Sequence, residues 1–462
     1  MPKLENGLFI FHRDFRLEDN IGLITASKQV KNLYVCFIFT PEQVSSKNEY
    51  RSKNSIQFMI ESLQELSETI KKKGGELMIF YNKNMKVLSK LISTLHIQGI
   101  YYNKDYSPYA LKRDEEIRAY CKTKNIECIE GIDYYLYEPG TITTNGSNEA
   151  FKKYTPFYNF VISKYVEDPN YRKITNIKKS QNVSEQVSLE EMYNKFTANN
   201  NEILVHGGRK EGLKRLTKST KDQKNYDDKR DFFKEKTTHL SAYIKFGCVS
   251  IREVYHSIRK SFGLKHGIIR ELIWREFFAH VLFAYPEVVG SSYQPRYKSI
   301  KWRKSKTDFE KWKNGNTGFP MVDACMRELN TTGYMHNRGR MTVASFLIKT
   351  LLLDWQWGEK YFAQNLTDYD LASNNGNWQG ISGTGVDMKP YFRDMNPWIQ
   401  SSKFDNEAIY IKKWIPELKD VDSEDIHNWY EKHTKYKQVK YPKPMVDYYA
   451  RKEEMIKMYK NA

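Results

Sequence analysis

From Gly7 to about Gly131 the chain alternates between short, solidly apolar runs and longer stretches in which apolar residues return every three or four positions. The runs are LFIF, LYVCFIF, ELMIFY, GIYYN and ECIEG, and the stretches between them include SIQFMIESLQELSETIKKKGG and VLSKLISTLH. That alternation predicts βαβ units and a parallel, doubly wound sheet with helices on both faces. Between about Tyr135 and Leu204 the pattern decays into turns and mixed charge (TNGSNEAFKKY, NIKKSQNVSEQVS, TANNNEI), which predicts a long connector over the surface. Beyond His206 the strand signals stop. Stretches such as GIIRELIWREFFAHVLFAY and RMTVASFLIKTLLLDW then carry apolar residues three and four apart, predicting an all-helical domain. The expected organisation is an α/β domain over residues 1–134, a connector over 135–205 and an all-helical domain over 206–462. One stretch is awkward: SNNGNWQG, residues 373–380, has the asparagine and glycine content of a loop or the mouth of a helix, yet it holds Trp378.

A length of 462 residues suits two domains. No apolar run reaches membrane-spanning length, and MPKLENGLFIF is too short in its apolar part for a secretory signal. The five cysteines show no metal-ligand spacing, so reduced thiols in a soluble intracellular protein are expected. Charge changes the picture more. Lys plus Arg number 74 against 56 Asp plus Glu, a formal +18, which favours polyanionic partners; a lysine-rich composition gives the same excess. Aromatic residues make up 14% of the chain, and aromatics interleaved with arginines are the groups that stack bases and hold phosphates.

Common catalytic signatures are missing. There is no G-x-S-x-G, H-E-x-x-H or P-loop, and no G-x-G-x-x-G follows the first strand, so the charged turn HRDFRLEDN must serve another purpose. In RELIWREFF, Glu271, Trp274, Arg275 and Phe278 fall at i, i+3, i+4 and i+7 and share one helix stripe. Asn337, Met341, Ala344 and Ile348 form another, with Arg338 and Arg340 beside it. An ordinary amphipathic helix accounts for the first stripe taken alone, but an acid one turn from a buried tryptophan needs a partner for its charge or hydrogen bond.

The segments YDDKRDFFKEKTTHLSAYIKFGCVS, RELIWREFF, WKNGNTGFPMVDACMRELNTTGYMHNRGRMTVASFLIKTLLLDW, GEKYFAQNLTDYDLASNNGNWQ and PYFRDMNPWIQSSKFD resemble, in order and spacing, consecutive blocks of the class I cyclobutane pyrimidine dimer photolyases. FHRDFRLEDN resembles the opening motif of the same family. The resemblance covers nearly the whole chain and is weakest across the connector. It implies a Rossmann-like antenna domain followed by a helical domain that holds FAD, and a light-driven enzyme that repairs pyrimidine dimers in DNA as a monomer.

The same resemblance implies roles for particular residues. Thr237, Thr238, His239, Leu240 and Ser241 match a helix opening that binds the FAD diphosphate, with Tyr226 and Arg275 as further contacts. Arg340 and Asp368 match an ion pair over the flavin ring, Asp370 a carboxylate at its pyrimidine edge, and Tyr369 and Asn337 lie in the same cofactor set. Asn374 matches the position facing flavin N5, where an amide can hydrogen-bond more than one redox state. Trp378, Trp355 and Trp302 match a chain of indoles from flavin to surface, and three structural tryptophans are the alternative. Glu271, Trp274, Phe278, Asn337 and Met341 match residues around a flipped-out dimer. Arg230, Arg338, Arg393, Gln400 and Lys403 match contacts to the flanking backbone. The (6-4) photoproduct repair chemistry needs two histidines where this chain has Asn337 and Met341. A cryptochrome, a flavin photoreceptor without repair, is the rival reading, and Asn374 favours repair.

Two departures stand out. Trp378-Gln379-Gly380 replaces the family's usual WQW, so a second indole wall is missing unless another ring such as Trp398 takes its place, and Tyr334 replaces the tryptophan of GWMHN. A second, antenna chromophore of folate or deazaflavin type is allowed for, but Ser107 falls about where folate-binding relatives carry an acid, and Asp105 and Arg113 do not choose its identity.

Overall fold

The computed structural model describes residues 3–144, 146–180, 183–388 and 390–462. All five apolar runs are strands: β1 (Leu4–Phe11), β2 (Val30–Phe39), β3 (Leu77–Tyr81), β4 (Gly99–Asn103) and β5 (Glu127–Gly131). They pair in parallel in the order β3-β2-β1-β4-β5, with Leu8 between Tyr34 and Ile100 in the register of the central strands. The apolar runs are unbroken because both sheet faces are covered. Phe9 and Phe11 point into one core, and Leu8 and Ile10 into a separate one on the other face.

Among the described residues no further strand follows Gly131, and the chain from Arg209 onward is a succession of helices. Residues 135–205 do more than run over the surface. Helix Tyr154–Val161 buries Phe157 and Val161, helix Leu189–Phe196 buries Met192, and Ile177 bridges in parallel to Leu33 at the edge of β2. The connector therefore supplies part of the largest core, which it shares with both domains.

The turn after β1 finds its purpose at the domain junction. Arg16 Nη2 lies 2.8 Å from Asp133, and Arg252, from helix Ile251–Phe262, reaches Asp133 at 2.7 Å and Asp19 at 3.0 Å. Arg16 also donates to the Gly247 carbonyl, and Ser250 Oγ to Asp19. All four charged side chains of this lattice are almost wholly buried. Burial alone would raise the Asp133 carboxyl, but Arg16 and Arg252 overcome it and hold it below the usual carboxylate range. HRDFRLEDN is thus the bolt between the domains.

Candidate cofactor and DNA site

A sheet of this order leaves its crevice beyond the carboxyl ends of its strands, where the strand order reverses. A cavity of about 320 Å³ lies there, bordered by Phe37 and Phe39 of β2, by His12 and Arg13 after β1, and by Asp105 after β4. Lys245, Tyr369 and Asp370 close it from the helical side. Arg13 makes a two-pronged bond to Asp105 at 2.8 Å, lies over the Tyr134 ring, and stands 3.7 Å from Asp370. Burial works to raise Asp370, and Arg13 and Arg275 hold it low. Burial pulls Lys245 down to about 8, with Asp370 opposing. Both ring nitrogens of His12 are buried without a partner, and burial together with Arg113 keeps the ring neutral. Ser107 caps helix Pro108–Thr123 through the Ala110 N–H and borders this cavity, as Arg113 does. Tyr369 and Asp370, grouped in sequence with the cofactor set, thus face this junction.

A second set of groups assembles inside the helical domain. Arg340 Nη2 stands 3.0 Å from Asp368, and Ser241 Oγ donates to the same carboxylate at 2.7 Å. The Tyr334 hydroxyl lies 3.0 Å from Ser241 Oγ, and its ring lies beneath the Arg340 guanidinium. The sequence from Thr237 does lead into a helix, which spans Ser241–Lys245, and Leu240 N donates to Thr238 Oγ1. His239, just before it, has φ of 49°, a left-handed backbone uncommon outside glycine, though histidine enters it more readily than most residues. His239 Nδ1 and Thr367 Oγ1 are buried with no partner, as is Arg275 Nη2 nearer the junction. Unpaired donors beside an arginine–aspartate pair and several hydroxyls fit a large polar, anionic ligand such as FAD. Tyr226 heads the short helix Tyr226–Lys229, with the Arg230 guanidinium 5.7 Å from its ring centroid.

Helix Gly267–Ala284 carries the first predicted stripe, and it meets several partners. Glu271 is ion-paired to Arg230, so two residues assigned separately to lesion and backbone hold each other. Burial raises the Glu271 carboxyl and Arg230 opposes it. Arg275 donates to the Tyr134 carbonyl at 2.8 Å and lies over Tyr135. Phe278 packs on Gly376, where a Cβ would come within 2.2 Å of its ring. Trp274 is stacked on Tyr154 of the connector, ring centroids 3.5 Å apart and planes 5° from parallel. On helix Asn337–Ser345, Asn337 is exposed and Met341 half-buried one turn on, 3.9 Å apart, while Ala344 and Ile348 run into the core. Arg338 pairs with Asp231 and lies over Phe404.

SNNGNWQG is not a loop. It lies within helix Leu371–Ser382, capped by Asp370, whose side chain accepts the Ser373 N–H. Asparagines weaken helices by bonding to their own backbone, as Asn377 does to the Ser373 carbonyl, but Asn374 and Asn375 bond outside the helix. Asn374 donates to the Glu359 carbonyl at 3.1 Å, Asn375 to the Val288 carbonyl and to Glu359 Oε1, and Gln379 to the Val288 carbonyl. Trp378 is therefore a core residue, 2% exposed, covered by Phe362 at 5.0 Å and Trp312 at 6.4 Å. Trp355 is equally buried, and Trp302 is half-buried against Tyr459. Trp312, which sequence reasoning passed over, is the indole in ring contact with Trp378.

The remaining predicted contacts lie on the face around helix Pro397–Phe404. Arg393 and Lys403 are exposed, Gln400 has a buried Oε1 without a partner, and Phe392 and Ile399 are exposed beside them. Trp398 does not replace the missing indole: it stacks on Phe319 at 4.6 Å inside the helical core. The place at Gly380 stays open, since a Cβ there meets only the Asp387 carbonyl, at 3.7 Å. Sequence reasoning also missed Tyr154 and Lys245. The spacing of Tyr154, Phe157 and Val161 at i, i+3 and i+7 was the available signal for the first.

Residues 8–173 match the family described as DNA photolyase, and residues 268–461 match the FAD binding domain of DNA photolyase. A deoxyribodipyrimidine photo-lyase of Synechococcus sp. is 32% identical over 98% of this chain and 96% of its own. The chain belongs to the photolyase/cryptochrome family. Among solved photolyase structures, that of the archaeon Sulfolobus tokodaii, described with two FAD molecules and a novel light-harvesting cofactor, is 39% identical with a TM-score of 0.89, covering 99% of this chain and 100% of that one. A bacterial class III photolyase from Agrobacterium tumefaciens superposes with a TM-score of 0.92 at 28% identity, covering 100% and 98%. Among the described residues no helix is long and apolar enough to cross a membrane, and no cluster of three or more His, Cys, Asp or Glu could hold a metal ion.

Proposed function

We propose that this protein repairs cyclobutane pyrimidine dimers in DNA, driven by light, with FAD held in the helical domain. The observation that carries this reading is the layout of helix 337–345. Asn337 and Met341 face outward one turn apart, while Arg340, on the same helix, is paired to Asp368 on the cofactor side. A lesion and a flavin would then lie against one short rigid element. Reduced FAD, when bound, supplies on illumination the electron that opens the cyclobutane ring and takes it back.

The chain's own work is placement. A dimer within a duplex is out of reach and must leave the stack, at a cost its damaged pairing reduces. Trp274 offers a stacking face worth about 1–3 kcal/mol per base. Glu271, raised by burial, offers a hydrogen bond to the everted bases once Arg230 turns to the backbone. Arg230, Arg338, Arg393, Gln400 and Lys403 position the flanking strand, and the +18 charge steers the duplex in. Asn337 and Met341, in place of two histidines, favour the cyclobutane dimer over the (6-4) photoproduct. Thr237, Thr238, Ser241, Arg275 and Arg340 would hold the phosphates and ring of FAD. Asn374 would lie at the flavin ring, and Trp378, Trp355 and Trp302 would return electrons to it from the surface.

Assignment to class I rests on the order and spacing of the sequence blocks, because the fold is common to class III as well. The junction cavity is the seat we assign to a second chromophore. Its cations Arg13, Arg113 and Lys245 and its tyrosines suit an anionic planar ring, and Ser107 in place of an acid argues against folate. The archaeal relative with two FAD molecules makes a flavin the favoured class. Heat-released flavin, quantified against protein, is expected to exceed one per chain.

The deciding experiment illuminates the reduced protein with dimer-containing oligonucleotide and counts restored thymines. Restoration above the dark control is expected; equality with it would leave a photoreceptor. Trp378→Phe is expected to slow photoreduction of oxidised flavin while repair by pre-reduced protein persists.

A further inference from the structure

The connector sends one ring into the lesion side of the helical domain. Tyr154 and Trp274 form the closest ring pair among the described residues, face to face at 3.5 Å and 5°. The two rings thus lie at van der Waals contact with little lateral offset, a geometry that the surrounding anchors must hold. Tyr154 is pinned at both ends: its backbone N–H donates to Asp387 Oδ2 at 2.9 Å, and its hydroxyl donates to the Arg270 carbonyl at 2.9 Å. Two further rings contact Trp274: Phe277, edge-on at 5.8 Å, and Phe278 at 5.4 Å.

Asp387 ties this pair to the open place in the wall. The residue that anchors Tyr154 through its carboxylate is also the one whose carbonyl is the sole atom near a Cβ placed on Gly380. Lys153, next to Tyr154, stands 3.5 Å from the same carboxylate. Trp274, Tyr154, Asp387 and Gly380 are therefore one cluster, in which a side chain is absent at Gly380 and a ring is delivered from a different part of the chain.

We propose that Tyr154 is a positioning residue for lesion recognition: it backs Trp274 and fixes the plane of that indole, so that one wall stacks the flipped-out dimer without a second wall from position 380. This rests on the repair reading above. A free indole has to be ordered when the lesion arrives, whereas an indole already stacked on Tyr154 is not. The residue acts through Trp274 and need not touch DNA.

The test measures, in the dark and with the FAD-loaded protein, the dissociation constants for a dimer-containing duplex and for the undamaged duplex of the same sequence. Tyr154→Ala and Tyr154→Leu are both expected to lower the ratio of the two about tenfold, by relaxing the stacking wall, with binding of undamaged DNA unchanged. Tyr154→Phe keeps the stack and is expected to keep the ratio. An unchanged ratio in the Ala and Leu variants overturns the proposal. So does a parallel loss for both duplexes, or loss of bound-flavin absorbance in both variants, because the ring would then only support the fold. A wild-type protein with no preference for the damaged duplex would instead overturn the repair reading on which the proposal stands.

Discussion

The two sites of this molecule are built in opposite ways. The junction cavity takes its walls from the carboxyl sides of β1, β2 and β4 and from several helices, all far apart in sequence. The helical site draws its chief residues from a few helices, where Glu271, Trp274 and Arg275, or Asn337 and Met341, lie within a turn or two of one another. A cavity between domains exists only while they stay docked, and here docking depends on buried charges. A site within a helical bundle depends on packing. The two should fail under different insults.

Arg252→Met attacks the junction. It leaves Asp19 buried without its guanidinium and Asp133 with Arg16 alone, and a loss of about 3–5 kcal/mol is expected in denaturant unfolding. Any second chromophore should be released first, with FAD retained at protein concentrations where the chain is still folded. Gly376→Val attacks the packing instead. Its Cβ would lie 2.2 Å from Phe278, and a loss of about 2–3 kcal/mol is expected, with FAD affinity falling before the junction dye is lost.

A third change sharpens the comparison through pH. Burial pushes Glu359 up to about 7, while Asn375 pulls the other way. A carboxyl raised on folding lends stability below its ordinary pKa, and that contribution is lost as pH rises to about 7. Glu359→Gln keeps the bond from Asn375 and cannot ionise. It should match wild type near pH 4 and exceed it by about 2 kcal/mol at pH 8, measured by thermal unfolding. The smallest effect belongs to the exposed face. Lys403→Ala is expected to weaken damaged and undamaged DNA alike and to reduce the salt slope of binding by about 0.9.

How much of this was legible follows from what each element uses to hold itself. The five strands were readable because burial on both faces writes solid apolar runs, and LYVCFIF has little other explanation. The stripe on helix 267–284 was readable because its chemistry repeats at helical spacing. Helix 371–382 was not. Its amides bond to Val288 and Glu359, partners that no local window contains, and its Gly376 answers to Phe278 nearly one hundred residues away. The connector hid its role for a related reason. Phe157, Val161 and Met192 are isolated apolar positions in polar surroundings, and only the assembled core shows that they are fully buried. The Arg340–Asp368 ion pair was legible from the resemblance, whereas Arg230–Glu271 joins residues that the sequence reading had assigned to different tasks.

Asp370 borders the junction cavity and caps helix 371–382, and the next turns of that helix set where Asn374 and Trp378 stand within the helical domain. Were a dye bound in the junction cavity and FAD beside this helix, their mutual orientation would be inherited from a single stretch of backbone. Excitation passed from one to the other would depend on how rigidly that rod is clamped, so a loosened cap at its amino end should blur the optical coupling before it disturbs either dye's own colour.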